Sequence, residues 1–491
     1  MELHLAVDDI VLLGAAVMVV GVVMAGLAGR LQVPSLLVFL VIGMVVADDG
    51  LGVVHFDDAE LAQSVSVVAL VLILFEGGLS SSWRDTRAVA APAVLLASLG
   101  VAITASVVAG VAYVLLDVSG TTAWLLGAVV ASTDAAAVMS LLRNAPVPRR
   151  IASLLEVESG LNDPVAVLLT VGILETWAGD ASPAGWVLFG LLQIGVGASV
   201  GILVGLGGAW LAERAHLGGA GLFAVLGSGL AGLAYGAATQ ANGSGLLAVY
   251  LVGLVLGNRL PRHQHALRTV HEGFAFAAQM TLFLLLGLQV FPSDLPEVAG
   301  KGLVLAVALV LIARPLAVAA VLPWFGFAPR MLAFVSWAGL RGGVPIVLAT
   351  FPLTAGYPDA QLVFDIVFFV VLISVAVQGT TLGPVAHRLG LAADAVPATA
   401  IVMGLDHVNA DVIELELEEA ATVVGHALKD VPMPPGIRIS VLERGERTIV
   451  PDGDTVLEAD DVLVIVADSA SKATAALERW VQGGDGAPPP T

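Results

Sequence analysis

Blocks of about 20 apolar residues recur along most of this chain, and they restrict its fold more than any other feature of the sequence. A helix of about 20 apolar residues crosses the hydrocarbon core of a bilayer, which is roughly 30 Å thick. Hydrophobic residues make up 58% of the 491 residues and charged residues only 13%, a composition too apolar for a soluble protein of this length. The sequence therefore predicts an all-α polytopic membrane protein.

The blocks predict thirteen membrane spans. The first run, which follows a start without Lys or Arg, does not have the pattern of a cleavable signal. It is therefore expected to stay in the membrane as a helix. The predicted spans are 9–29, 33–47, 62–80, 88–116, 121–142, 150–175, 185–211, 217–237, 242–257, 266–290, 300–323, 329–351 and 360–386.

Basic residues divide unequally between the loops on the two sides of these spans. Twelve arginines lie in or beside one alternate set of loops, whereas the other set holds only Lys301. The positive-inside rule then places the N-terminus outside and the C-terminal domain in the cytoplasm, in a cell (inner) membrane. The twelve are Arg30, Arg84, Arg87, Arg143, Arg149, Arg150, Arg214, Arg259, Arg262, Arg268, Arg330 and Arg388.

The formal charge of −20 is concentrated near the C-terminus, since residues 398–491 hold 17 acidic and 6 basic residues. An acidic tail argues against binding of nucleic acid. The chain has no cysteine, which excludes disulfides, thiolate metal sites and a cysteine nucleophile. No cofactor is expected.

A weak internal repeat links the two halves of the membrane region. A shift of 210 residues aligns Ser35–Asp48 with Gly245–Asn258. A shift of 209 residues then aligns Gly78-Leu79 with Gly287-Leu288, and Thr133-Asp134 with Gly342-Gly343. Because the interval contains seven spans, an odd number, the two halves would be inverted in the membrane. Inverted repeats with broken helices that meet near the midplane are a transporter architecture.

The densest group of charges inside the spans is the run at 156–164, Glu-Val-Glu-Ser-Gly-Leu-Asn-Asp-Pro. On a helix, residues three or four apart share a face, so Glu158 aligns with Asn162 and Ser159 aligns with Asp163. The resulting stripe offers hard oxygen ligands that suit Na⁺ or K⁺. The alternative is a polar stripe that only joins two helices, although such joints usually use Ser, Thr or Asn rather than two carboxylates.

Two further segments place charges at bilayer depth, where an ionised side chain needs a partner or an aqueous cavity. Thr133-Asp134 lies in mid-span among small residues and indicates an unwound or crossing point, with Asp134 as cation ligand, helix cap or both. Its repeat partner, the run 337–345, has three glycines and a proline and predicts a broken helix. If the two broken helices cross, Asp134 and Arg341 lie near dipole ends of opposite sign.

The remaining buried charges have competing interpretations. Arg341 is expected to pair with Glu158 as a structural ion pair, and Arg314, next to Pro315, is the competing partner. Glu76 is either a residue of the ion path or an exposed carboxylate at the end of its span.

Four motifs together resemble the NhaP-type branch of the cation/proton antiporter superfamily. They are Phe-Glu-Gly-Gly-Leu at 75–79, Thr-Asp at 133–134, Glu-Ser-x-x-Asn-Asp at 158–163 and Gly-Leu-Arg-Gly-Gly at 339–343. The resemblance covers residues 9–388. It implies thirteen helices, a homodimer, two crossing broken helices, and a core domain that moves against a dimerisation domain.

The resemblance also implies roles for individual residues. Asp163 would alternately hold the proton and the cation. The residues that would help to form the cation shell are Thr133, Asp134, Ser159 and Glu76. Glu158 and Arg341 would form the structural ion pair. Ala135 stands where many relatives have Pro, which makes coordination by the Thr133 backbone less certain.

The neighbouring Asn162 and Asp163 resemble the electroneutral side of the superfamily, which has Asn-Asp rather than two adjacent acids. A single carboxylate that exchanges one H⁺ for one monovalent cation moves no net charge across the membrane. This pair therefore favours electroneutral exchange.

After residue 388 the composition changes to that of a small α+β domain. A linker is expected at 389–409 and a disordered tail at 482–491. Between them, the segment 410–481 resembles the C-terminal subdomain of RCK domains (TrkA-C). Period-two alternation at 411–418 and apolar runs at 437–443, 448–450 and 461–466 predict strands, and 471–481 predicts a helix. The resemblance implies a regulatory domain, in some cases one that binds cyclic di-AMP; the alternative is a dimer contact without a ligand.

These features favour an electroneutral exchanger of K⁺ (and/or Na⁺) for H⁺, with membrane lipid and a second copy as its partners. Potassium is favoured because RCK-type domains usually accompany potassium transporters. The first alternative is a Na⁺/H⁺ antiporter for sodium efflux. A cation channel is disfavoured because the sequence has neither a carbonyl filter motif nor four-fold repetition. An enzyme is disfavoured because no nucleophile–base pair or metal cluster lies near a span.

Overall fold

The chain divides into two compact units, Met1–Ala392 and Ala393–Thr491. The first unit is helical, and the second contains a β-sheet. The computed structural model describes residues 6–481 except 31–33, 53–57, 142–146, 180–182, 216–219, 294, 392–400, 406–409, 418–420, 432, 435, 445–446, 468–475 and 478–479.

The helices of the first unit are numbered here in chain order, each with any π or 3₁₀ turn inside it. They are α1 (Ala6–Arg30), α2 (Ser35–Val46), α3 (Ala59–Ser80), α4 (Trp83–Leu115), α5 (Gly120–Val129), α6 (Ala135–Leu141), α7 (Arg149–Ala178), α8 (Pro183–Arg214), α9 (Ala220–Gln240), α10 (Gly245–Arg259), α11 (Pro261–Leu288), α12 (Leu295–Phe325), α13 (Pro329–Trp337), α14 (Gly343–Thr354) and α15 (Ala360–Arg388).

Two pairs of these helices, α5 with α6 and α13 with α14, are the halves of broken helices. Five residues separate the halves in each pair, at 130–134 and at 338–342. If each pair is counted once, the described helices form thirteen apolar segments, eight of which are long and apolar enough to cross a membrane as single helices. The predicted all-α polytopic fold with two broken helices is confirmed.

Close glycine contacts show the inverted repeat in the packing. A Cβ atom on Gly43 of α2 would lie 2.3 Å from the Leu284 carbonyl oxygen and 2.9 Å from Cα of Gly287 in α11. A Cβ atom on Gly253 of α10 would lie 3.1 Å from Cα of Gly78 in α3. Because the repeat aligns Gly43 with Gly253 and Gly78 with Gly287, the same backbone-to-backbone contact is made twice.

Three helices are interrupted by π turns, at Leu96–Gly100 in α4, Leu309–Ala313 in α12 and Ser374–Gln378 in α15. A π turn inserts an extra residue into the helix and re-aims the side chains that follow it, and such turns are frequent at functional sites. The first two occupy corresponding places in the two repeats, because α4 and α12 each precede a broken helix.

The second unit contains one antiparallel sheet in the order β1-β2-β5-β3-β4. Its strands are β1 (Ile401–Leu405), β2 (Ala410–Glu416), β3 (Ile437–Arg444), β4 (Arg447–Ile449) and β5 (Val462–Ala467). One face is covered by a core that includes Leu442, Leu463, Ile465 and Trp480. Alternation of buried and less buried residues along β5 is what period-two patterning predicts.

Strand β1 lies inside the segment expected to be a linker, 389–409. It pairs with β2 from Ile401↔Glu414 to Leu405↔Ala410. The run Ile-Val-Met-Gly-Leu is suited to a strand. Its pairing gives hydrogen-bond partners to the backbone N–H and C=O groups on the edge of β2, which would otherwise be unpaired in the sheet. Of the predicted helix 471–481, residues 476–477 and 480–481 are described and are helical. The predicted tail, 482–491, lies outside the described residues.

Candidate functional site

The breaks of the two broken helices meet inside the first unit. The Asp134 backbone N–H, just before α6, donates a 2.9 Å hydrogen bond to the Leu340 carbonyl oxygen, between α13 and α14. Gly342 permits this approach, since a Cβ atom there would lie 1.8 Å from Asp134 Oδ2. The crossing expected from the repeat is therefore present, and a side chain at position 342 would block it.

Charged side chains meet the helix ends that the breaks leave open. Asp134 Oδ1 accepts a 3.0 Å hydrogen bond from the Ala137 backbone N–H in the first turn of α6. Arg341 Nη1 donates to the carbonyl oxygens of Ala131 and Ser132, at 2.7 and 2.6 Å, at the C-terminal end of α5. A carboxylate at a helix N-terminus and a guanidinium at a C-terminus both have the favourable sign for the helix dipole.

The polar stripe of α7 faces the first break. Ser159 Oγ donates a 2.8 Å hydrogen bond to the Thr133 carbonyl oxygen, and Asn162 Nδ2 donates a 2.7 Å hydrogen bond to Thr133 Oγ1. Two side chains of α7 thus hold the carbonyl and the hydroxyl of one unwound residue. The stripe does join two elements, as its alternative interpretation requires, and the two hydrogen bonds to Thr133 come from Ser159 and Asn162.

Asp163 is a buried carboxylate, only 2% exposed. Its Oδ1 atom has no hydrogen-bond partner among the described residues, and no Lys or Arg there forms an ion pair with it. A buried carboxylate in this situation requires a proton or a cation to offset the loss of its hydration. Asp163 is therefore the strongest candidate for the exchanging group.

A cavity of about 730 Å³ leads to Asp163. It extends to residues at one end of the spans, including Ser80, Leu141 and His387, which lie next to the basic loops. Six acidic or polar residues of the lining lie near the first break, on α7 or on α3: Glu76, Thr133, Asp134, Glu156, Ser159 and Asp163. Five of these six were proposed as site residues from the sequence, and Glu156 was noted only as a charge inside a span.

Glu76 lies on the cavity wall and is partly buried. Its Oε1 atom accepts a 2.7 Å hydrogen bond from Ser80 Oγ, one turn later in α3. The carboxylate therefore belongs to a residue of the cavity wall and is not fully exposed at the end of its span.

The expected pairing of Arg341 with Glu158 is wrong. Arg314 makes the ion pair with Glu158: Nη2 donates to Oε2 at 2.8 Å, and Nη1 donates a second, shorter bond to Oε1. Arg314 follows the π turn of α12 and passes Gly339, where a Cβ atom would lie 2.6 Å from its Nε. The absence of a side chain at Gly339 leaves room for the Arg314 side chain. Both side chains of the pair are almost completely buried.

Three residues at the site are not among those that the sequence patterns identify. Tyr250 of α10 lines the cavity, and its ring packs against Gly160, where a Cβ atom would lie 2.8 Å from Cε2. Ser374 and Gln378 of α15 are buried and bond to the second break. Two polar residues four apart inside an apolar span would have been a usable signal for this pair.

Comparison with known proteins gives the same result as the geometry. The family model for the transmembrane region of sodium/hydrogen exchangers matches residues 15–388, and the model for the TrkA-C domain matches residues 412–478. The chain therefore belongs to the sodium/hydrogen exchanger family of membrane antiporters and carries a TrkA-C domain.

Several curated proteins are similar over most of the chain. The K⁺/H⁺ antiporter NhaP2 of Shewanella sp. (strain ANA-3) is 40% identical over 476 residues, which are 95% of this chain and 82% of that protein. The K⁺/H⁺ antiporter NhaP of Alkalimonas amylolytica is 36% identical over 98% of this chain and 86% of its own length. The Na⁺/H⁺ antiporter ApNhaP of Aphanothece halophytica is 31% identical over 74% of this chain and 71% of its own length.

A solved structure has the same fold. The sodium/proton antiporter MjNhaP1 from Methanocaldococcus jannaschii superposes with a TM-score of 0.68 at 22% identity, covering 78% of this chain and 99% of that chain.

Proposed function

We propose that this chain exchanges K⁺ for H⁺ in an electroneutral, one-for-one exchange at Asp163, and that it also accepts Na⁺. The observation that carries the proposal is the buried carboxylate of Asp163, which lies at the end of a cavity lined by oxygen ligands. Its Oδ1 atom has no hydrogen-bond partner among the described residues. The K⁺/H⁺ antiporters that resemble the chain along nearly its whole length support potassium as the cation.

The charges around the crossing support electroneutral exchange. Glu158 is neutralised by Arg314, and Asp134 is balanced by Arg341 on the opposite break. Asp163 then leaves one negative charge, which either one H⁺ or one monovalent cation cancels. Because an uncancelled charge is costly at bilayer depth, the conformational change that carries the site across is favoured only for the two loaded forms.

The cation would be held by oxygens from both breaks and from α7. We assign Asp163, Ser159, Asp134 and Thr133 as its ligands, with Glu76 on the approach. Ser159 Oγ uses its proton on the Thr133 carbonyl, so its lone pairs remain available to a cation. Asn162 is assigned the role of holding Thr133, since its amide nitrogen bonds to the Thr133 hydroxyl.

A Na⁺/H⁺ antiporter is the second candidate. It is favoured by the similarity to the Na⁺/H⁺ antiporter ApNhaP, although that similarity covers less of the chain. The same ligand set accommodates either ion, because both prefer hard oxygen donors. Transport is favoured over catalysis because the cavity ends on a carboxylate within a transporter fold.

The membrane orientation follows from the basic loops. We propose a cell (inner) membrane with the N-terminus outside, the C-terminal unit in the cytoplasm and the cavity open to the cytoplasm. The cavity extends toward Ser80 and His387, at the end of the spans that carries the arginine-rich loops.

We propose that residues 1–388 transport the ions and that the TrkA-C domain, 410–481, regulates this transport. A small cytoplasmic regulator such as cyclic di-AMP, and assembly as a homodimer in lipid, belong to the same proposal. The match of the TrkA-C family model to residues 412–478 supports it.

Purified protein in liposomes with an internal pH dye provides the test. After a proton gradient is imposed, addition of K⁺ or Na⁺ outside should collapse it, at a rate that does not change when valinomycin clamps the voltage. Asp163→Asn should abolish exchange, whereas Asp365→Asn, a matched change in a buried carboxylate of α15 away from the cavity, should retain it. Exchange by Asp163→Asn, or a cation current, would contradict the proposal.

A further inference from the structure

A chain of hydrogen bonds from α15 fastens the second break at two points. Ser374 and Gln378 are the first and last residues of the π turn in α15, and each is 1% exposed. Ser374 Oγ accepts a 3.0 Å hydrogen bond from the Arg341 backbone N–H. Gln378 Nε2 donates a 2.7 Å hydrogen bond to the carbonyl oxygen of Trp337, the last residue of α13.

The two side chains are also joined to each other. Ser374 Oγ donates a 2.5 Å hydrogen bond to Gln378 Oε1. The donors and acceptors of the network can be assigned in one way only, because the Ser374 hydroxyl has a single proton and the Trp337 carbonyl can only accept. The Gln378 amide must therefore present its nitrogen to Trp337 and its oxygen to Ser374. The two side chains span the break from Trp337 to Arg341 and fix its length.

This network reaches the proposed cation site through Arg341. The backbone of Arg341 is held by Ser374, and its guanidinium holds the carbonyls of Ala131 and Ser132. Those two residues directly precede Thr133 and Asp134. A displacement of the second break would therefore move the segment that carries two of the proposed ligands.

The network adds no charge to the crossing, because Ser374 and Gln378 are both neutral. The crossing contains two helix C-terminal ends, each with the negative end of a helix dipole. The end of α5 is met by the charged guanidinium of Arg341, whereas the end of α13 is met by the neutral amide of Gln378. A positively charged side chain at the end of α13 would add a second positive charge to the crossing, beyond the one on Arg341 that Asp134 offsets.

We propose that Gln378 and Ser374 are positioning residues for the exchange. They hold the second break, and through Arg341 the first, in the geometry that binds the cation, without adding a charge to the crossing. This inference rests on the proposed function, since it assigns the geometry of that same site.

Replacement of Gln378 by Leu tests the positioning role, with Gln361→Leu as the matched control. Gln361 lies in the same helix, and its amide bonds to Asp365 rather than to a break. Gln378→Leu removes the amide donor of the buried Trp337 carbonyl and the acceptor of the Ser374 hydroxyl proton. The half-saturating K⁺ concentration should therefore rise about tenfold, with a smaller change in maximal rate. Gln361→Leu should leave both values unchanged.

Replacement of Gln378 by Glu separates positioning from misfolding. A protonated Glu can donate to Trp337 and accept from Ser374 as Gln does, whereas an ionised Glu cannot donate. The ratio of the Gln378→Glu rate to the wild-type rate should therefore be close to one at acidic pH and fall as the pH rises. A variant that merely folds poorly would give a ratio that does not depend on pH.

A double-mutant cycle completes the test. Ser374→Ala and Gln378→Leu remove the same network, so the double variant should raise the half-saturating concentration no more than the worse single variant. Additive effects, a half-saturating concentration for Gln378→Leu equal to that of Gln361→Leu, or a flat pH ratio for Gln378→Glu would each overturn the inference.

Cation binding is also measured without transport, as the rise in melting temperature of each purified variant when K⁺ replaces choline. Gln378→Leu should need about tenfold more K⁺ for the same rise. A wild-type protein that binds K⁺ but exchanges nothing would refute the proposed function. The K⁺ dependence of melting in Gln378→Leu would then still support or refute the positioning role.

Discussion

Arg314 neutralises Glu158 from a helix 156 residues further along the chain, and Arg341 is thereby left to bond to the backbone carbonyls of Ala131 and Ser132. The two arginines thus have different tasks. One compensates a buried carboxylate on α7, and the other compensates the C-terminal end of a broken helix. This division gives each of the two buried arginines its own partner: a carboxylate for Arg314, and two backbone carbonyl oxygens for Arg341.

The ion pair gives a prediction on stability. Arg314→Ala leaves Glu158 buried without a partner and should lower the stability of the membrane unit by about 3–5 kcal/mol. The double variant Arg314→Met with Glu158→Leu should recover most of that loss, because apolar side chains of similar volume fill the same space without a charge. Thermal unfolding in detergent measures both. Glu156→Gln is the control and should have little effect, because this carboxylate of the same helix forms no ion pair at 4 Å or less among the described residues.

Competition at Asp163 predicts the pH dependence of exchange. At low pH the carboxylate is protonated and cannot take the cation, and at high pH few protons are available for the return step, so the rate should be bell-shaped in pH. Because proton and cation compete for one site, a tenfold rise in K⁺ should move the acidic limb about one pH unit lower. Initial rates at several K⁺ concentrations and pH values check this. An acidic limb that stays fixed as K⁺ rises would show that proton and cation use different groups.

The glycine contacts of the repeat predict an asymmetry between two neighbours in α3. Gly78→Ala would place a methyl group 2.3 Å from the Tyr250 carbonyl oxygen, whereas a methyl group on Gly77 would meet nothing within 4 Å. Gly78→Ala should therefore cost about 1–3 kcal/mol through overpacking, and Gly77→Ala should cost little. The melting temperatures of the two variants provide the comparison. Equal melting temperatures would mean that α3 and α10 do not approach as closely as described.

The C-terminal unit gives a prediction on a half-buried ion pair. Asp461 is completely buried and accepts two hydrogen bonds from Arg444, both at 2.8 Å, and bonding to Asp461 raises the pKa of Arg444. Arg444→Ala should therefore speed hydrogen exchange in β5 of the full-length protein by about tenfold or more, since it leaves a buried carboxylate without its cation. Lys429→Ala, which removes a pair with both side chains exposed, should change exchange little. If both variants exchanged alike, the Arg444 contact would not stabilise the sheet.

Local sequence patterns contain much of this fold. The thirteen apolar segments and the two breaks could be predicted because each depends on residues close in sequence. The signals were apolar blocks of bilayer length, a carboxylate among small residues at 133–134, and glycines with a proline at 337–345. The stripe on α7 was predictable for the same reason, since helical spacing alone places Ser159 and Asp163 on one face.

Contacts between distant segments could not be predicted in this way. Whether Glu158 meets Arg314 or Arg341 depends on how α12 packs against α7 and on the space above Gly339, and no local pattern encodes either. Strand β1 was missed because its place is decided by the open edge of β2, and the Ser374–Gln378 contacts depend on a π turn that only the packed helix shows.

The sequence by itself determined that the chain crosses the membrane repeatedly and that carboxylates lie where water is scarce, because the hydrophobic effect and helix periodicity act on neighbouring residues. The tertiary structure decided that Glu158 forms an ion pair with an arginine, whereas Asp163 forms none with the described residues. That choice rests on distances of a few ångströms between residues far apart in the chain, and only the packing of the helices sets them.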